Sequence, residues 1–194
     1  MRRLGVSMLC LWGMTAAWAI TPVDLQGLKI QRLEQGVYVS ANLQFDMPAV
    51  LEEAMYKGVS LYFVTEIDIS RERWYFYEQR VAHAERHVRL SYMPLTRRWR
   101  VSVSPQPFGV SGLGVSLGQS YDTLDEALVS VRRIVQWRIA NAGDVETDVR
   151  QSIEFSFRLD LNQLPRPLQM GAAGQSDWNI RLSKSQRLVL EPGP

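Results

Sequence analysis

Residues 153–161 read Ile153-Glu154-Phe155-Ser156-Phe157-Arg158-Leu159-Asp160-Leu161. Every odd position is apolar and every even one polar, the period of two that sets one face of a strand against a core and the other in water. Such a strand needs a second layer to cover its dry face, and the chain holds more segments of the same kind. Val37-Tyr38-Val39-Ser40-Ala41-Asn42-Leu43-Gln44-Phe45 alternates too, and with Leu28-Lys29-Ile30 and the turn Glu34-Gln35-Gly36 it predicts a hairpin. Val59, Leu61, Phe63 and Ile67 alternate with Ser60, Tyr62, Glu66 and Asp68. Residues 73–77, 88–92 and 99–103 are further strand candidates, the last two joined at Pro94, and a last strand region is expected within 178–190.

Only two segments carry a helical period. Asp46 and Pro48 precede Val50, Leu51, Ala54 and Met55 on one helical face, with Gly58 as a stop. Thr123-Leu124-Asp125-Glu126 is a capping box, in which the Thr123 hydroxyl accepts from the Glu126 amide and the Glu126 carboxylate reaches back. Behind it Leu124, Ala127, Leu128, Val131, Ile134 and Val135 form one apolar stripe, which predicts a helix running to about Gln136. Leu164-Pro165-Arg166-Pro167-Leu168 breaks the pairing, and the glycine-rich run over 105–120 reads as a long loop. Many short alternating strands and two helices predict a mainly β fold, an antiparallel β-sandwich with two helices packed on it.

The N-terminus has its own logic. Arg2 and Arg3, an apolar run from Leu4 to Ala17, and Ala17-Trp18-Ala19 read as a secretory signal peptide over 1–19 with cleavage after Ala19. The run of about 14 residues is short of the ~20 that span a bilayer. The expected product is a single β-rich domain over 20–194. Cys10 is the only cysteine, so cleavage would leave no thiol for disulfides, catalysis or zinc. Of 22 basic and 20 acidic residues, Arg2 and Arg3 leave with the leader, giving 20 against 20. The basic excess therefore belongs to the export signal, and nucleic acid is not an expected partner.

No residue set declares a reaction. Gly114-Val115-Ser116-Leu117-Gly118 matches the G-x-S-x-G pattern, but the elbow needs a strand before it, a helix directly after it and a histidine later in the chain, whereas His83 and His87 both come earlier. His83 and His87 lie in a segment that reads as extended, which separates them by roughly 13 Å and makes exposed polar positions the better reading. No metal ligand set, cofactor motif or catalytic residue is assigned. The concentration of arginine in residues 71–100 is the remaining signal. Val88, Leu90 and Tyr92 share one face while Arg89 shares the other with His87 and Ser91, and Trp99, Val101 and Val103 oppose Arg98, Arg100 and Ser102. Arg89, Arg97, Arg98 and Arg100 are the candidate contact surface, for an acidic protein or an anionic membrane surface. The alternative is a solvated sheet face paired internally with Glu66, Asp68 or the acids of 144–148.

Several pieces in order resemble the domain-of-unknown-function family 4390, a proteobacterial group of exported proteins. They are Arg71-Glu72-Arg73-Trp74, Arg89-Leu90-Ser91-Tyr92, Leu95-Thr96-Arg97-Arg98, residues 119–128 beginning Gln119-Ser120-Tyr121-Asp122, Leu164-Pro165-Arg166-Pro167-Leu168-Gln169 and Ser176-Asp177-Trp178. The resemblance implies a Gram-negative source, a periplasmic address and frequent gene neighbourhood with a membrane sensor kinase. It brings no catalytic or binding residues. The expected function is that of a periplasmic, non-catalytic interaction or adaptor protein, with a sensor kinase as the partner class. An envelope enzyme acting through His83, His87 or Ser116, hydrolytic or metal-dependent, and a small-ligand-binding sandwich are the rivals.

Overall fold

A computed structural model of the protein describes residues 23–71, 79–109, 117–146, 149–172 and 178–192. The expected leader and the strand expected at 73–77 lie outside these residues. In chain order the elements are β1 (Asp24–Leu33), β2 (Gly36–Gln44), α1 (Ala49–Tyr56), β3 (Leu61–Arg71), β4 (Gln79–Met93), β5 (Arg98–Ser104), β6 (Leu117–Tyr121), α2 (Leu124–Arg132), β7 (Arg133–Ala140), β8 (Gln151–Leu159), α3 (Arg166–Ala172), β9 (Arg181–Arg187) and β10 (Glu191–Pro192). One sheet has the order β10-β1-β2-β7 and the other β6-β5-β4-β3-β8-β9. All pairings are antiparallel except the short β1–β10 contact, so the expected mainly β architecture, with α1 and α2 as its two amphipathic helices, is what the chain forms.

The alternation in 153–161 does what its period requires. Ile153, Phe155, Phe157 and Leu159 are buried, and β8 pairs through its length with β3, whose Leu61, Phe63, Ile67 and Ile69 face the same way. The second layer comes from β2, with Val37, Val39, Ala41 and Leu43 buried. Phe45 closes the two layers, its ring 5.9 Å from Phe63 and 5.4 Å from Phe157, while Phe63 and Phe157 stack at 5.6 Å. Arg132 caps this cluster, its guanidinium 5.1 Å from the Phe45 ring and donating to the Phe45 carbonyl. In α1, Leu51, Ala54 and Met55 are the buried face.

Two expectations need correcting. The glycine-rich stretch is not a loop to its end, because Leu117–Tyr121 pairs with β5 as an edge strand. The helix after Thr123 keeps its capping box but stops at Arg132, and the chain passes without a linker into β7. Ile134 and Val135 read as the end of a helical stripe. They are also a β-branched pair, and pairing Ile134 with Ala41 completes the edge of the smaller sheet. Ile134 and Ile139 are both buried although five apart, which a regular strand cannot arrange. A bulge resolves the conflict: residues 134–137 span what β2 covers in 39–41, Gln136 takes a φ of 44°, and its amide donates to the Ser40 hydroxyl at 3.0 Å. A matching bulge in β1 uses Gly27 at φ 59°.

The aromatic closure generates a prediction. Phe157→Ala removes a fully buried ring that both layers touch, and should lower unfolding stability by about 3–5 kcal/mol in urea titration. Arg181→Gln on the exposed β9 edge should change it by no more than about 0.5 kcal/mol.

Candidate functional site: the arginine hairpin and its outer face

The β4–β5 hairpin projects the arginines because its other face is anchored. Leu90 pairs with Val101 and Tyr92 with Trp99, and Trp99 is buried, as its place in the alternation requires. Tyr56 at the end of α1 meets Tyr92 at 4.9 Å and Trp99 at 5.4 Å, both edge-on, and Tyr92 meets Trp99 at 5.0 Å. This aromatic trio holds the hairpin against α1.

On the opposite face the register sets Arg89 beside Ser102 and Arg100 beside Ser91, with Arg98 opposite Met93 nearer the tip. The structure thus brings Arg89, Arg98 and Arg100 to one face and leaves Arg97 in the turn, at φ 52°. Their surroundings differ. The Arg89 guanidinium is 5.1 Å from the Phe108 ring and is half-buried. Arg98 pairs with Asp122 at 2.9 Å, with both groups largely exposed. Arg100 lies across β6, where a side chain on Gly118 would meet its Nε and Nη2 at 3.1 Å, so the glycine is what lets the guanidinium lie flat. None of the four takes Glu66 or Asp68 as a partner: Glu66 pairs with Arg158 at 2.5 Å, Asp68 with Arg80 at 2.9 Å, and Glu146 with Arg71 at 2.6 Å.

Residue-type reasoning missed the tip. Leu95 is wholly exposed, at 101%, and Met93 is 40% exposed, next to Arg97 and Arg98. The signal was present as Met93-Pro94-Leu95, two apolar side chains at a turn with nothing in the local pattern to cover them.

The same outer face carries the histidines, and here the structure corrects the sequence reading. The strand is extended as expected, but Glu85 bridges the pair, with its Oε1 3.1 Å from His83 Nε2 and its Oε2 3.0 Å from His87 Nε2. His83 Nδ1 is also 2.9 Å from Asp68 Oδ1. His87 is only 4% exposed, not a solvated polar position. Both nitrogens of His83 face carboxylate oxygens, and the bond to Asp68, followed by that to Glu85, raises its pKa against the opposing effect of burial. Burial alone would raise the Glu85 carboxyl, but the bonds from His87 and His83 outweigh it and hold the group below its usual range. Ser104, directly across from His87, accepts from the Gln106 amide at 3.1 Å and is 6% exposed. Ser116 lies outside the described residues.

These shifts set a pH window. His83 has a raised folded-state pKa, so its contribution is full below its ordinary value of 6.5 and fades as pH rises through the raised one. Glu85 is shifted down, so its contribution is present above its ordinary value of 4.5 and lost on acidification below that. The network is therefore strongest between those two values. His83→Gln should lower the urea midpoint at about pH 5.5 and leave it close to that of the unmodified protein at about pH 9. A deficit of the same size at both would mean that the ring acts by packing and not by charge.

In comparison with known proteins, a family model described as a domain of unknown function, DUF4390, matches residues 21–188. No curated protein matches the chain, and no solved structure does. The match runs through both sheets, from β1 to the last residue of β9 and beyond it, so it takes in the hairpin and the whole outer face. The chain belongs to the DUF4390 family.

Proposed function

We propose that this protein is a non-catalytic interaction module of the cell envelope, and that it docks through the tip and outer face of the β4–β5 hairpin. The observation that carries this reading is the exposure of Leu95 at 101% beside Arg97 and Arg98, on a hairpin held by Tyr56, Tyr92 and Trp99. An apolar side chain at the end of a rigid element gains by burial against a partner, at about 25 cal/mol per Å² of apolar surface. The flanking guanidiniums add planar, multidentate recognition of carboxylates. Rigidity matters because a preformed surface loses little conformational entropy on association.

The chemistry of the outer face supports the non-catalytic side of this reading. A general base needs a proton within reach and a substrate beside it. His87 is shut off from solvent, Glu85 is shared between two imidazoles, and the Ser104 hydroxyl is turned to a backbone amide.

The favoured partner is an acidic surface on an envelope protein, with the extracytoplasmic part of a membrane sensor kinase as the class that the family resemblance suggests. A periplasmic address follows from the signal-like succession Arg2-Arg3, apolar run and Ala17-Trp18-Ala19. The intact mass of the exported chain tests it, and retention of Cys10 would contradict it. An anionic lipid surface is favoured by one feature, the pairing of exposed Met93 and Leu95 with Arg97.

Exchange of Arg97, Arg98 and Arg100 together for Gln should leave thermal stability nearly unchanged, since exposed pairs such as Arg98–Asp122 are worth about 0–1 kcal/mol. Capture of the sensor domain should fall at least about tenfold, and the unmodified complex should weaken with added salt. Exchange of Arg181, Lys184 and Arg187 on β9 removes the same charge from another edge and should leave capture intact. Equal losses from both triple variants would reduce the effect to net charge, and selective binding to anionic vesicles would move the partner to the membrane.

A further inference from the structure

The two sheets differ in width, and the difference leaves a corner open. Among the described residues β5 pairs with β4 only over 87–93, so residues 79–86 of β4 have β3 on one side and no paired strand on the other. Among the described residues β7 pairs only with β2, and it shares pocket walls with β4 at residues 81–83 and 85–86. Between them, at the end of β5, is a cavity of ≈ 370 Å³ whose apolar lining is Val103, Pro105, Val135 and Trp137 and whose polar lining is Glu85, Arg86 and Ser104. The bulge at Gln136 displaces this part of β7 from regular pairing, and Val135 is left 57% exposed.

Arg86 is the anomaly in this corner. By parity it belongs with Val88 and Leu90 on the inward face, and its cross-strand neighbour is Thr65, which is fully buried with its hydroxyl unpartnered. The Arg86 Nη1 is shut off from solvent without a hydrogen-bond partner, and among the described residues no carboxylate pairs with it. The nearby acids are engaged elsewhere: Glu85 by His83 and His87, and the Glu126 carboxylate by the backbone amides of Asp122 and Thr123. Burial draws the guanidinium pKa down to about 10, which still leaves it charged at neutral pH. A largely buried guanidinium with one nitrogen cut off from water and unpaired is costly, and an anion at that nitrogen would relieve the cost.

We propose that this corner binds a small amphipathic monoanion, its carboxylate paired with Arg86 and its apolar body lying against Val135 and Trp137. The walls require the apolar body, because a bare anion would leave Val103, Pro105, Val135 and Trp137 unused. Glu85 and Glu126 near the guanidinium disfavour a second negative charge on the ligand. The volume suits a small molecule, within the roughly 300–1,000 Å³ of ligand pockets. This site is separate from the arginine hairpin tip and stands or falls without it.

Calorimetric titration of the full chain with sodium octanoate, octan-1-ol and inorganic phosphate tests the assignment. Octanoate should bind saturably and at least about tenfold more tightly than octan-1-ol, with phosphate weaker still. Arg86→Met should weaken octanoate about tenfold or more while the ligand-free protein melts no lower, because the variant loses an unpaired charge and keeps the packing. Val135→Asp, on an exposed rim position, should also weaken octanoate and leave the fold intact. Equal binding of octan-1-ol would remove the role of Arg86, and equal binding of phosphate that of the apolar wall. If Arg86→Met fails to fold, undiminished octanoate binding by Val135→Asp would overturn the proposal.

Discussion

Everything in this structure depends on bringing two sheets with one dry face each into contact, and the contact is made where Phe45 meets Phe63 and Phe157. Phe45 stands just past the end of β2, in the smaller sheet, while the other two rings belong to central strands of the larger. Among the described residues the layers are unequal, with four strands against six. Part of the larger sheet's inner face must then be covered by something else, and α2 does this over β5 and β6. The cover is incomplete at the junction of β7 and β4, which is why an inward-facing arginine and a cavity coexist there.

The hairpin owes its character to the same inequality. β4 and β5 run out from the body toward a turn at 94–97, and the Tyr56, Tyr92 and Trp99 rings stiffen that extension from the inner side. Polar side chains are thereby held outward in a fixed register, with Leu95 at the end. The edges are managed differently. β9, at the far side of the larger sheet, carries Arg181, Lys184 and Arg187 in a nearly fully exposed strand, which discourages pairing with another chain. A charged edge of that kind repels strands, whereas the hairpin tip joins charge to an uncovered apolar side chain.

Much of the fold was legible because the alternation in 153–161 and 37–45 is strict, and strict period-two segments leave few alternatives to a two-layer β fold. The N-terminal end of α2 was legible for a local reason, the Thr123–Glu126 capping box. Its C-terminal end was not, because Ile134 and Val135 satisfy the helical stripe as well as the strand, and only pairing with β2 decides between them. The arginine face followed from parity, and the aromatic anchoring of Trp99 with it. Parity also carried information about Arg86, which falls in step with Val88 and Leu90. A cation on an apolar face reads as noise in the pattern until the neighbouring strands show that, among the described residues, no carboxylate pairs with it. The Glu85 bridge between His83 and His87 was hidden for a related reason: spacing along a strand separates two imidazoles, but a carboxylate midway between them on the same face can reach both.

The central claim is that the hairpin tip is where a partner sits, and site-specific photo-crosslinking in intact cells examines it most directly. A photoreactive residue at Leu95 should give a discrete adduct with an envelope protein bearing an acidic extracytoplasmic domain, and the adduct should be lost when Arg97, Arg98 and Arg100 are exchanged for Gln. The same residue at Gln186, on the charged β9 edge, should give none. An adduct at Gln186 with none at Leu95 would place the contact at the other edge of the larger sheet and contradict the account.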